Sequence, residues 1–307
     1  MTLFAPEVVL QKVKAGDEFN QAELSRLKLE SVNLDRAKFI QCYLRGAILT
    51  DTSCCQASFK ASNLTFSQLN GVNLTEGNLE RTELNSATIS NCILDDVNGY
   101  KLRLFGAELK EIKANHINLS FADLREVFGI TLQFKSANLA KAFLTRSSLK
   151  QVDFTQATVT NANFEDSIII NSQWYKANLQ NTNFASSKIE QADFTDASLV
   201  NTKFAKGILN TINFSATELL EADLRQAELT QINFTDSILL SANLEGAKLN
   251  NIIFTNANLQ DANFEQTTWK NVTFNNCNVD GAVFSDAQGL SDTQKQWLRQ
   301  NGALNVN

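Results

Sequence analysis

The 307-residue chain is 43% apolar and 20% charged, enough apolar content for a sizeable core and too much for a chain disordered by composition. A formal net charge of −6 is mild and gives no electrostatic reason to expect nucleic acid or an acidic membrane surface as partner. The single proline points to a backbone that is hydrogen-bonded almost throughout.

The first segment, "MTLFAPEVVLQKVKAG" (1–16), carries acids and lysines early and lacks the basic-then-apolar layout of a secretory signal. No apolar run anywhere approaches the ~20 residues needed to cross a bilayer. Pro6 at a first helical turn and Gly16 as a stop predict a short capping helix here.

From Leu24 onward a large apolar residue, the centre, returns at every fifth position: Leu29, Leu34, Phe39, Leu44, Leu49 and so on to Phe284. Neither helix nor strand has this period. The frame gains and loses no residue, which predicts one repeat array over 17–288. The position two before each centre is mostly small (Ala137, Ala142, Ser147), and the residue just before it is often Asn or Asp (Asn138, Asp153, Asn163). These two types bond their side chains to nearby backbone, so a turn is expected in each repeat.

The centre fails at Cys54, Gly99, Ala114 and Gly129. Around the last three, Tyr100, Phe105, Phe121, Phe128, Ile130 and Phe143 take nominally outward positions, and Lys101, Arg103, Lys110 and Lys113 add positive charge. One reading is a bulge whose aromatics fold over the missing centres. The other is a recognition spot unlike the uniform surface around it.

Further along, centres 20 apart sort by size. Phe134, Phe154, Trp174, Phe194, Phe214, Phe234, Phe254 and Phe274 form one aromatic series, whereas Leu119, Leu139, Val159, Leu179 and their successors are aliphatic. Such sorting demands coils of four sides. On the outside, Val200, Leu220 and Leu240 share one position on consecutive coils, with Ile238 beside them. This strip is either an interface or ordinary extended-edge composition. The final segment (289–307), "GLSDTQKQWLRQNGA" and its tail, places Ser291 three before Gln294 and ends its apolar face at Trp297 and Leu298 before Gly302. That is a capping-box helix serving as the second lid.

The stretches "ADLRQ" (222–226), "ANLEG" (242–246) and "ANLQD" (257–261) resemble the pentapeptide-repeat family consensus A-(D/N)-L-x-x. The resemblance implies an all-β solenoid, a right-handed quadrilateral β-helix of about 13 coils, ~4.8 Å apart. The flanking helices are similar to those of cyanobacterial members. Some relatives, the Qnr-type proteins, imitate duplex DNA and engage gyrase, which requires one dense acidic face. Here the most acidic side, with Asp35, Glu76, Asp95, Asp96, Asp153, Asp193, Asp196 and Asp236, also carries Arg36, Lys113, Lys135 and Lys176, which disfavours that alternative.

No catalytic, cofactor-binding or metal-binding residues are predicted. His116 is outward, with no partner nucleophile near it in sequence. Cys42, Cys54, Cys92 and Cys277 occupy inward positions, and Cys55 alone points outward, so a reduced, cytoplasmic protein is expected. The function predicted is a non-enzymatic scaffold presenting rigid faces to a protein partner, with no nucleic acid and no membrane. A self-associating structural protein, acting as a homodimer, is the further alternative.

Overall fold

The five-residue period resolves into one left-handed corner per repeat. In the computed structural model, which describes residues 4–307, the residue two after the centre has positive φ, as at Arg26 (61°), Gln56 (58°) and Gln156 (59°). A non-glycine residue there costs roughly 1–2 kcal/mol. The corner recovers that cost in hydrogen bonds. The Gln56 N–H donates to the Thr75 carbonyl of the next coil at 2.8 Å, and the Ala57 N–H closes the turn on the Cys54 carbonyl at 3.0 Å. The positive φ at the third residue and the Ala57 bond are features of a type II turn, and the Gln56 bond ties that turn into the stack. The Asn before the centre braces the same corner, as the Asn73 Oδ1 accepts the Thr75 N–H at 3.0 Å. It is not itself the left-handed residue, which comes three positions later at Glu76.

The chain forms two compact units, one ending at Thr158 and one spanning Val159–Asn307. The five-residue frame runs through that point without a break. In the first unit helix α1 (Pro6–Ala15) precedes strands β1 (Glu18–Asn20), β2 (Lys28–Glu30), β3 (Lys38–Ile40), β4 (Ile48–Thr50), β5 (Gln68–Asn70), β6 (Thr88–Ser90), β7 (Glu108–Lys113), β8 (Phe128–Gln133) and β9 (Ser148–Asp153). β1 pairs with β3, and β2, β4, β5, β6, β7, β8 and β9 pair in that order, all parallel. Each pairing joins residues 20 apart, such as Leu109 with Gly129 and Gly129 with Leu149. α1 ends on Gly16 in the left-handed region and buries Val9, as expected of a lid.

The second unit contains β10 (Ile168–Gln173), β11 (Lys188–Asp193), β12 (Ile208–Asn213), β13 (Glu228–Asn233), β14 (Lys248–Thr255) and β15 (Thr268–Asn275), again parallel in chain order, then helix α2 (Asp292–Gln300). Its core contains two aromatic columns beside buried aliphatic ones such as Leu199, Leu219 and Leu239. Trp174, Phe194, Phe214, Phe234, Phe254 and Phe274 stack with centroids 5.1–5.7 Å apart. Phe164, Phe184 and Phe204 make a second column at 4.8–5.2 Å. α2 has the expected capping box at Ser291 and Gln294, buries Leu298 and lays Trp297 on Phe274 at 5.8 Å. Each unit is thus the expected β-solenoid, filled by its centres and covered at the described chain terminus by a helix. Among the described residues no helix is long and apolar enough to span a membrane.

The stretch with missing centres does not bulge, and its aromatics do not fold inward. The register through Gly129 is continuous. The lost volume is made up from inside, because each weak centre is followed three residues later by a large group where a small one is usual: Leu102 after Gly99, Ile117 after Ala114, Leu132 after Gly129. All three are buried. A Cβ added at Gly129 would come within 2.7 Å of Leu132 Cδ1 and 3.0 Å of Leu149 Cδ2, so the space is already taken. At Ala114 the filling is less complete, leaving an apolar void of about 20 Å³ lined by Leu102, Ile117 and Phe134 among others.

Candidate interaction surface

With the centres replaced from within, the aromatics of this stretch are left outside. Phe105, Phe121, Phe128 and Phe143 are 37–50% exposed, and Tyr100 is half-buried. Stacking at a period of 20 then decides which of them meet. Phe121 lies one coil after Lys101 and one coil before Lys141, and Phe143 pairs with Asp123, itself paired with Arg103. The result is an open depression of about 390 Å³ lined by Lys101, Arg103, Phe121, Asp123, Arg125 and Phe143. Tyr100 adjoins it, edge-on to Phe121 at 5.7 Å. Phe105 adjoins it through Arg125, whose guanidinium lies 5.6 Å from the Phe105 ring centre. Phe128 and Ile130 are not part of this group. They belong to β8, beside Glu108 and Lys110 of β7, and Lys113 also belongs to β7, beside Gln133 of β8.

The cations of the depression fall into two kinds. Arg103 pairs with Glu83 at 2.9 Å, and Arg125 holds Asp123 with two side-chain bonds of 2.7 and 2.6 Å. Burial alone would raise the Asp123 carboxyl, but the Arg125 side-chain and backbone bonds and the charges of Arg125 and Arg103 hold it below the usual carboxylate range. Lys101 and Lys141 are different. Their ammonium groups lie 5.9 and 5.3 Å from the Phe121 ring centre, and Lys101 is also 5.2 Å from that of Tyr100. Such contacts are worth about 0.5–1 kcal/mol at exposed sites.

The aliphatic strip lies in the second unit. Val200, Leu220 and Leu240 do fall on consecutive coils, joined by the Asn181 N–H to the Val200 carbonyl, the Asn201 N–H to that of Leu220 and the Glu221 N–H to that of Leu240. All three are half-buried, and Ile238 beside them is 41% exposed. Other exposed apolar groups went unnoticed in the sequence: Tyr43, Phe66 and Tyr175, and Ile168 and Ile208, which share an outward position in the second unit.

The reactive side chains are dispersed. His116 faces Asp96, Nδ1 to Oδ1 at 3.4 Å, on open surface. Burial raises the thiol pKa values of Cys42, Cys54, Cys92 and Cys277, that of Cys92 to about 11, which disfavours the reactive thiolate at all four. Cys55 is partly exposed, its Sγ 3.7 Å from the Ser53 hydroxyl. Much of the carboxylate of the most acidic side is engaged locally: Asp95 accepts the Asn115 N–H at 2.7 Å, and Asp153 pairs with Lys135 at 3.3 Å.

Comparison with known families agrees with this architecture. A model described as "Pentapeptide repeat region" matches residues 147–224 and 208–284, and one described as "Pentapeptide repeats (8 copies)" matches 37–76 and 62–98. The chain belongs to the pentapeptide repeat family. No curated protein matches it. Among solved structures it is similar to QnrB1, a plasmid-mediated fluoroquinolone resistance protein, at 16% identity over 64% of this chain and 89% of that one, TM-score 0.34. HetL, involved in heterocyst differentiation regulation in the cyanobacterium Nostoc sp. strain PCC 7120, gives 16% identity over 92% and 97%, TM-score 0.22. A pentapeptide repeat protein of the Arabidopsis thaliana thylakoid lumen gives 31% identity over 38% and 79%, TM-score 0.21. Likenesses at this level do not bear on what this chain binds.

Proposed function

We propose that this chain is a non-catalytic binding scaffold that engages a partner protein through the aromatic and cationic surface of its first unit. One observation carries the reading: three exposed Phe side chains, a Tyr and four cations gather around one open depression. Contiguous exposed apolar groups more often mark an interface than isolated ones do, and aromatic residues and Arg are enriched where proteins meet. The coils beneath are bonded in register, so the surface is held in place before any partner arrives, which lowers the entropic cost of binding. Among the described residues the five cysteines form no disulfide, which favours a reducing compartment, and a cytoplasmic location goes with the proposal.

Capture from native lysate tests the proposal, with three baits compared by mass spectrometry. Wild type is expected to retain a partner that a Phe121→Ser, Phe143→Ser variant loses. A Leu220→Arg, Leu240→Arg variant should retain it. Loss through the second variant alone would move the interface to the strip of the second unit and refute this assignment.

A further inference from the structure

The depression and its rim hold more than apolar area: Lys101 in its lining and Lys141 against the Phe121 ring add two positive charges. Among the described residues, Lys101 and Lys141 have no carboxylate in ion-pair range, whereas Arg103 and Arg125 are each matched to one. Both free ammoniums are held against the Phe121 ring. A cation placed on an aromatic ring rather than on a carboxylate keeps most of its charge available to an incoming anion.

Spacing then narrows the ligand. Lys101, Phe121 and Lys141 occupy one position on three successive coils, so the backbones of the two lysines are set two coil spacings apart, roughly 10 Å. An extended β-strand puts every second residue on one face, about 6.6 Å apart, so its same-side acids fall short of that interval or overshoot it. A polyproline II segment matches it. It repeats every three residues and rises about 9.3 Å in doing so, which brings residues i and i+3 onto one face at the spacing of the lysines. Exposed aromatic rings are also the surface on which such segments dock, and here Phe121 lies between the lysines with Phe143 beside them.

We infer that this surface binds an acidic, proline-containing segment of a partner protein in the polyproline II conformation, with carboxylates three residues apart engaging Lys101 and Lys141 and the intervening residues lying on Phe121 and Phe143. The inference rests on the scaffold reading and adds the chemistry of the partner. Desolvation is modest at so open a site, so attraction between the charges weakens with salt.

The test is fluorescence anisotropy with a fluorescein-labelled peptide of four Glu-Pro-Pro triplets, against the same length of Glu-Gly-Gly triplets and of single-stranded oligothymidylate. The Glu-Pro-Pro peptide is expected to bind most tightly, to weaken with added salt, and to lose tenfold or more in affinity to a Lys101→Ala, Lys141→Ala variant whose unfolding midpoint matches wild type. Equal affinity of that variant and wild type, or no binding of the Glu-Pro-Pro peptide, would overturn the inference. So would tighter binding of oligothymidylate, which would identify a nucleic-acid strand as the occupant instead. If lysate capture still depends on Phe121 and Phe143 while the peptide fails, only the partner chemistry falls. If capture is independent of them, the scaffold assignment falls as well.

Discussion

Phe214→Ala should destabilise the second unit by about 3–5 kcal/mol, the range for truncating a buried aromatic. Phe214 has no exposed surface; it stacks between Phe194 at 5.1 Å and Phe234 at 5.3 Å and meets Phe204 edge-on at 5.9 Å. Truncation removes the ring and leaves both stacking partners facing a void. The coils cannot close over it, because the backbones above and below are fixed by continuous parallel pairing. A solenoid adds its stability from neighbouring repeats, so the loss should also appear locally, as faster amide exchange in β12 and β13. Urea unfolding checks the magnitude, with Val200→Ala as a partly exposed control. A Phe214→Ala midpoint equal to that of the control would mean that the column is not load-sharing in solution.

The second large effect tests the compensation in the first unit. Leu132→Ala should cost about 2–5 kcal/mol, and toward the upper part of that range, since Gly129 offers no side chain to relax into the space. Gly129→Leu alone should cost about 1–3 kcal/mol by overpacking, because the added Cβ would come within 2.7 Å of Leu132 Cδ1. Combining the two moves the large group from one inward position to another and restores the volume. The double variant should therefore be more stable than Leu132→Ala by itself, a non-additivity that denaturant titration resolves. Additive losses would show that Leu132 does not stand in for the missing centre.

Much of this architecture can be read from the residues, and the places where reading fails have physical causes. Phe214 and Phe234 announce the coil length because an inward column has one neighbour above and one below, and like stacks well on like. The left-handed corners are not announced. Arg26, Gln56 and Glu76 share φ near +60° with no common chemistry, since hydrogen bonds to the next coil select that conformation rather than the residue's own preference. Leu132 was visible as the wrong size for its position, but only if each weak centre is examined together with the inward residue that follows it. Tyr100, Phe105, Phe121 and Phe143 were legible as a group, and so were Lys101 and Arg103. Arg125 and Lys141 were not. Far from Lys101 in sequence, they become its neighbours only when outward positions are stacked at the same period as the centres.

The proposed scaffold holds a partner on this depression in the cell. Site-specific photo-crosslinking reads that directly, with p-benzoylphenylalanine replacing Phe121 or Phe143 and, as references, Leu240 and Gln231. Irradiation should give one discrete covalent product from Phe121 and Phe143 and none from Gln231. Products from Leu240 alone, or from no position on the first unit, would contradict it.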